Sequence, residues 1–472
     1  MKTLFRNATI VNATDTQQAD LLIEGERIIA IAPNLPSDSV EVVDCSGLLL
    51  MPGGIDPHVH LALPMFGTIS SDDHYSGHKA AAFGGTTTAI DFTAQAAGGS
   101  LQASIDEWHA KAQGKAAIDY SFHVNVTDFN HSVAQEIAGL AQQGLTTLKM
   151  FTAYNGRLRL GDGEIFQVMQ LAEKYNLLCM LHCEQGDVID YLIANALSNG
   201  RTQPVWHART RPAWGEADAS LRAVALAAST GARAYIVHMT CGLAVDQLQY
   251  GRSRGASVMG ETCPQYLFFS EKHLERPDGA KWVCSPPMRS EQDNMALWQA
   301  LSAGTLQTVG TDHCPFYYNG NQPILYEGKP VAIAGKELGV NNFTEIPNGL
   351  PAIEHRLTLL WTYGVKAGWL TPEQFVSLTS THAARIFGMY PKKGKLAVGS
   401  DADIVVWHPD QASTISVQTS HMRTDHDLWE GTPLQGAPVQ VWLRGRKIVE
   451  GTQWLGSAGA GQFLRRGAGE WL

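Results

Sequence analysis

The 472-residue chain lacks any uncharged apolar stretch long enough to cross a bilayer, and its opening residues, Met1-Lys-Thr-Leu-Phe-Arg-Asn-Ala-Thr9, break their apolar side chains with polar ones. Neither a membrane span nor a secretory leader is expected. The seven cysteines, at 45, 179, 183, 241, 263, 284 and 314, are odd in number and include no Cys-x-x-Cys. That argues against a disulfide framework or a thiolate zinc knuckle and suits a reducing, cytoplasmic setting. Cationic excess is missing as well: the formal net charge is −10, which disfavours nucleic acid and anionic membrane surfaces as partners and leaves a small-molecule substrate as the better fit. There is no internal repeat or low-complexity tract. At 44% hydrophobic and 17% charged residues, the composition is that of an ordinary soluble globular enzyme. The length suits one large domain with a smaller one attached.

What is present is organised around Met51-Pro-Gly-Gly-Ile-Asp-Pro-His-Val-His60. Alternate side chains of a strand share a face, so His58 and His60 can aim at one spot, as two ligands of one metal ion must. Two histidines this close also arise by chance, and the rest of the chain has to decide. Residues 1–50 read as short strands separated by turn-rich pieces, and the same texture returns at 403–407 and 439–449. Terminal β segments that each need partners are expected to pair with one another. This divides the chain into a small sheet domain from 1–51 and 391–455, a central domain at 52–390, and a tail at 456–472 expected to be an arm or disordered.

Between the ends, eight apolar β-rich runs (48–60, 86–92, 120–126, 146–151, 177–183, 234–239, 256–262 and 307–313) alternate with helical segments. This is the pattern of parallel βα units, and eight of them predict an α/β fold of the (β/α)8 TIM-like barrel type, with its active site at the C-terminal strand ends. Polar residues gather there: His58, His60, Asp91, His123, Lys149, His182, His238, Glu261 and Asp312. Barrel strands are otherwise filled with Val, Ile and Leu, so packing alone does not explain the pattern. Four histidines and Asp312 offer N and O ligands suited to Zn²⁺ or a similar divalent ion. Lys149 is the odd member, because an ammonium cannot ligate a cation. Either it salt-bridges a carboxylate, or CO₂ converts it into an anionic carbamate able to bridge two metals; the surrounding histidines favour the carbamate.

These residues lie in Pro52-Gly-Gly-Ile-Asp-Pro-His-Val-His60, Gly84-Gly-Thr-Thr-Thr88, Lys149-Met-Phe-Thr-Ala-Tyr154, Leu181-His-Cys-Glu184, Ile236-Val-His238, Glu261-Thr-Cys-Pro-Gln-Tyr266, Cys284-Ser-Pro-Pro287 and Gly310-Thr-Asp-His-Cys314. Over residues 1 to about 450 the chain resembles the dihydropyrimidinase/D-hydantoinase family, cyclic amidohydrolases of the amidohydrolase superfamily. The resemblance implies that the sheet domain of 1–51 and 391–455 is a β-sandwich, and it implies a homotetramer of barrels, each with two Zn²⁺ held by His58, His60, carboxylated Lys149, His182, His238 and Asp312. It implies hydrolysis of a ring amide in a 5,6-dihydropyrimidine or 5-substituted hydantoin to an N-carbamoyl amino acid. In that reading a bridging hydroxide attacks, Asp312 carries the proton to the leaving nitrogen, and Tyr154 donates a hydrogen bond to the oxyanion; without the motif, Tyr154 would read as a phenol at the barrel rim. Ser285 and Asn348 would hold the imide edge, mainly through backbone groups, although either could be a turn former.

Two departures stand out. The segment 318–335 is longer than the family pattern leads one to expect ahead of Ile346-Pro-Asn-Gly349. After Tyr154, in the loop expected with Met65, Phe66, Phe151 and Leu158 to form the exocyclic pocket, Arg157 and Arg159 are unexpected: they point into solvent, or one of them faces the pocket mouth and pairs with an anionic substituent. Among rivals, a dihydroorotase would carry arginine where Ala62 stands. Allantoinase stays open, and a non-catalytic scaffold homologue would not keep every ligand position.

Overall fold

In the computed structural model, which describes residues 2–65, 67–320, 322–326 and 329–472 with the side chains of Leu325 and Tyr326 excepted, the run at 48–60 serves two sheets. Leu49–Pro52 belongs to the sheet of the chain ends and Gly54–Val59 opens the barrel. The handover falls at Gly53, where a Cβ would collide with the Thr87 side chain. Only a residue without one lets the backbone turn there.

Seven further strands follow in chain order around the barrel: Thr86–Phe92, Asp119–Asn125, Thr147–Phe151, Leu178–His182, Arg233–Ile236, Val258–Thr262 and Thr308–Val309. All pair in parallel, and a bridge from Val59 to His313 joins the first strand to the eighth. Alternation assigns the faces. Leu148 and Met150 pack into the core shared with the outer helices, as do Cys179 and Leu181. Leu178, Met180, Tyr235 and Met259 form a separate inner cluster. Lys149, His182 and Glu261 keep the inward phase, so each strand ends by pointing a polar group at the barrel axis.

The chain ends build a nine-stranded, mostly antiparallel sheet in which Leu49–Pro52 pairs with Ile404–Thr414, joining the first part of the chain to the last. Phe5, Ile10, Leu21, Leu50, Ile404 and Trp442 form its buried side, with Phe5 and Trp442 edge to face at 5.2 Å.

The tail is ordered against its own barrel, contrary to the expectation of a free arm. Tyr120 N–H donates to Gln462 O (3.0 Å) and Leu464 N–H to Tyr120 O (2.7 Å). Arg466 is buried below strands three and four, donating from Nε to Ser121 Oγ (2.9 Å) and from Nη2 to Phe122 O (2.5 Å) and Thr147 Oγ1 (2.8 Å). Burial pulls its pKa down to about 9. Composition suggested solvation because glycine and arginine are surface types; here Nε and Nη2 of Arg466 exchange water for hydroxyl and carbonyl oxygens, although its Nη1 is buried without a partner.

The long segment before Asn348 forms a hairpin, Gln322–Tyr326 against Lys329–Ile333. Its base is closed by the Glu337 carboxylate, which accepts from Gly320 N–H (2.8 Å) and Gly335 N–H (3.0 Å). Among the described residues no helix is long and apolar enough to cross a membrane.

Candidate active site

His58, His60 and Asp312 meet at one point: His58 Nε2 and His60 Nε2 lie 3.1 and 3.0 Å from the same Asp312 oxygen. The Glu261 carboxylate, buried on strand seven, accepts from His58 Nδ1 at 2.7 Å. That bond fixes a ring proton on Nδ1 and turns Nε2 toward Asp312. Gly310 makes the approach possible, since a Cβ there would sit 2.6 Å from Glu261 Oε2 and 3.0 Å from His58 Cβ.

A second pair lies beside the first. His182 Nδ1 and His238 Nε2 are 3.0 Å apart, and the His58 and His238 rings are 5.4 Å apart between centroids. His182 Nε2 donates to Glu184 at 2.7 Å, and Glu184 accepts in turn from Arg211 at 3.2 Å. Phe92 floors the site, its centroid 4.6 Å from His58, 5.0 Å from His60 and 5.0 Å from Lys149 Nζ.

The titrations follow from this crowding. Burial opposes a charge on His58, yet Glu261 and Asp312 together raise its pKa to about 9. Burial would likewise raise Asp312, but His58 and His60 hold it well below the ordinary carboxylate range. Lys149 is 2% exposed, and burial lowers its pKa to about 8 although Asp312 and Glu261 act the other way. A neutral amine, the form that reacts with CO₂, is therefore well populated near pH 8.

Does this donor set fit metal ions? The Nε2 atoms of His58 and His60 converge on one carboxylate oxygen, and two more imidazole nitrogens, His182 Nδ1 and His238 Nε2, face each other beside them. Such a set is satisfied either by protons on the imidazoles or by cations that displace them, and its ligand atoms are already gathered at one point. His60 Nδ1 and His238 Nδ1 are buried without a hydrogen-bond partner, so no other part of the fold claims these rings. The residues fit a pair of divalent ions with borderline nitrogen and oxygen ligands.

Tyr154 lies at the rim with its ring 5.1 Å from His182 and Arg211 Cζ 5.8 Å away over its face. Burial pushes its phenol pKa upward against the pull of Arg211, so it is a donor at neutral pH. The Ser285 hydroxyl faces the same phenol. Asn348 Nδ2 donates to Ser285 Oγ at 3.0 Å. Among the described residues the N–H and C=O of Ser285 and the C=O of Asn348 are engaged by no protein group, which leaves an open edge of donor and acceptors on the segments next to Tyr154.

Three site residues hold a left-handed backbone: Tyr154 (φ 67°), His238 (φ 39°) and Asp312 (φ 52°). Strict alternation would send His238 outward beside Ile236; its unusual φ accompanies a side chain aimed inward. Such conformations are costly for non-glycine residues and gather at functional sites.

Other expected residues lie elsewhere. His123 is enclosed within the barrel, bonded to Thr147 Oγ1 (2.6 Å) and Pro57 O (2.9 Å). Asp91 accepts from Trp108 Nε1 at 3.1 Å. Arg159 is tied to Asp187 (2.5 Å) and Asn155 (2.8 Å), and Arg157 is exposed. Met65, Phe151 and Leu158 are half-buried, while Phe66 lies outside the described residues. Sequence reasoning assigned no role to Glu184 or Glu261 and missed Arg211. The inward phase of strand seven would have pointed to Glu261; Arg211, in an irregular connection, carries no periodic signal.

Residues 49–448 match the model of the amidohydrolase family. A D-hydantoinase from Geobacillus stearothermophilus is 44% identical over 99% of this chain and 97% of its own length. Another D-hydantoinase, from Streptomyces coelicolor, is 41% identical over 100% and 99%. Among solved structures, a dihydropyrimidinase from Brevibacillus agri superposes with a TM-score of 0.95 at 46% identity, covering 99% of each chain. With its barrel, its converging histidines and these full-length relatives, the chain belongs to the amidohydrolase family, in the dihydropyrimidinase/D-hydantoinase branch.

Proposed function

We propose that this protein opens cyclic ureides, cleaving the ring amide of a 5,6-dihydropyrimidine or 5-substituted hydantoin to give an N-carbamoyl amino acid. It is a hydrolase acting on cyclic amides. The observation that carries the reading is the meeting of His58, His60 and Asp312 beside His182, His238 and Lys149. These side chains would hold two Zn²⁺, with Lys149 contributing as a carbamate. Bound there, the ions would provide a nucleophilic hydroxide at neutral pH and polarise the ring carbonyl.

The chain's own groups divide the remaining work. Asp312, ionised and next to both histidines, accepts the proton released on attack and returns it to the leaving ring nitrogen. Tyr154 donates its phenolic hydrogen bond to the carbonyl oxygen as negative charge develops there. Ser285 N–H and C=O with Asn348 C=O match the carbonyl and two flanking N–H groups of the ring's N–C(=O)–N edge, which includes the imide N–H; this orients the ring and presents one carbonyl to the histidines. Glu261 and Glu184 fix the tautomers of His58 and His182.

A panel of dihydrouracil, dihydrothymine, allantoin and 5-substituted hydantoins, assayed with one zinc-loaded preparation, tests the reading. Turnover of the dihydropyrimidines or hydantoins is expected. Turnover of allantoin alone would make the protein an allantoinase. The homotetramer and cytoplasmic setting are further proposals, and light scattering showing a monomer at micromolar concentration would overturn the first.

A further inference from the structure

Lys336 follows the inserted hairpin and is 1% exposed. Among the described residues no carboxylate lies within ion-pairing distance of it; the titratable groups around it are the Cys284 and Cys314 thiols and the His207 and His426 rings. Its Nζ donates to Val283 O and Pro347 O, each at 3.0 Å. Val283 precedes Cys284-Ser285 and Pro347 precedes Asn348, so one amine spans the two chain segments that carry the open backbone edge. Gly349 N–H also donates to Val283 O, at 3.2 Å.

A buried amine without a counterion is costly, and its methylene stem could be replaced by leucine or methionine for packing alone. What an apolar side chain cannot do is hold two carbonyl groups at a set separation. The holding survives deprotonation: burial lowers the Lys336 pKa to about 7, and a neutral amine still has two N–H groups for two carbonyls. The hairpin leaves this untouched, since Glu337 closes its base and Lys336 N–H is anchored to Tyr317 O at 2.8 Å.

We propose that Lys336 is a positioning residue that fixes the spacing between the Ser285 and Asn348 segments and thereby sets the affinity for the imide edge of the substrate ring. The inference rests on the reading of those two segments given above. The hydroxide-generating side chains are not touched by Lys336, so its loss should appear in KM.

The test uses the zinc-loaded full chain with Lys336→Met and dihydrouracil. KM should rise about tenfold, the effect of losing roughly one well-placed hydrogen bond, while kcat stays within about threefold and zinc content is unchanged. The wild-type preference for dihydrouracil over its N3-methyl analogue, which lacks the imide N–H, should shrink by a similar factor. If Lys336→Met does not accumulate in folded form, Lys336→Arg, which keeps donors but alters their reach, carries the same expectation. A KM within twofold of wild type, or a loss of kcat and zinc in parallel at constant KM, overturns the proposal. Failure of the functional reading looks different: the wild type itself would not turn over dihydrouracil or any hydantoin.

Discussion

The two ends of the barrel each gather three buried or half-buried groups able to hold a cation, and they do so to opposite effect. At the C-terminal end these are His58, His60 and Asp312; at the other end they are Asp119, Asp401 and Asp403. The lower cluster is already filled. Lys393 Nζ lies 2.6, 3.0 and 2.6 Å from the three carboxylates, and Arg444 Nε is 3.1 Å from Asp119. Its carboxylates overcome the cost of burying Lys393 and raise its pKa. At the upper cluster no lysine or arginine fills that place: Lys149 makes no ion pair there among the described residues and its own pKa falls, so it is protonation of His58 that answers Glu261 and Asp312. An acidic cluster by itself is therefore a poor guide to a metal. Imidazole and carboxylate ligand atoms converging on one point, with buried ring nitrogens unclaimed, are a better one.

The largest expected effect would break the upper cluster. Lys149→Ala should lose zinc and lower kcat/KM by more than about a thousandfold, with short carboxylic acids restoring part of it by standing in for the carbamate oxygens. Wild-type zinc and turnover in that variant would refute the carbamate. At the lower cluster, Lys393→Met should leave zinc content and kcat almost unchanged but cost about 3–5 kcal/mol in urea denaturation, because it strands buried carboxylates. A Lys393→Met protein that loses zinc instead would erase the distinction between the two ends.

A smaller effect concerns Glu184. Burial would raise its pKa, but Arg211 and His182 hold it at about 2, below the ordinary 4.5. A depressed carboxylate stabilises the fold above its unfolded pKa, and that contribution fades as pH falls from about 4.5 toward 2. Chelator-treated Glu184→Gln should therefore be less stable than treated wild type at pH 7, by an amount on the order of 3 kcal/mol, with the gap narrowing below pH 4.5. A gap independent of pH would remove the ionic explanation. The smallest change is expected at the rim, where Arg159 is engaged by Asp187 and Arg157 is exposed. Arg157→Ala and Arg159→Ala should each alter the ratio of kcat/KM for a carboxymethyl-hydantoin and an isopropyl-hydantoin by less than about twofold. A larger drop in either would place that guanidinium at the pocket mouth.

Much of the architecture was legible in the linear chain because strand period and side-chain type are local properties. Eight β-rich runs alternating with helices imply the barrel, and a polar residue at the end of an apolar run marks the strand terminus that bears the chemistry. His58, His60, Lys149, His182, His238 and Asp312 stand out that way together with Asp91, His123 and Glu261, and only the family resemblance narrows them to a ligand set. Tertiary structure alone decided which buried charges were already matched. Lys393 finds its carboxylates 274 residues away at Asp119 and 10 residues away at Asp403, and Arg466 reaches Thr147 across 319 residues. Lys336 meets carbonyls 53 and 11 residues distant. No local pattern encodes such pairings, because a buried charge is decided by which distant segments the packed core brings beside it and how far they exclude water.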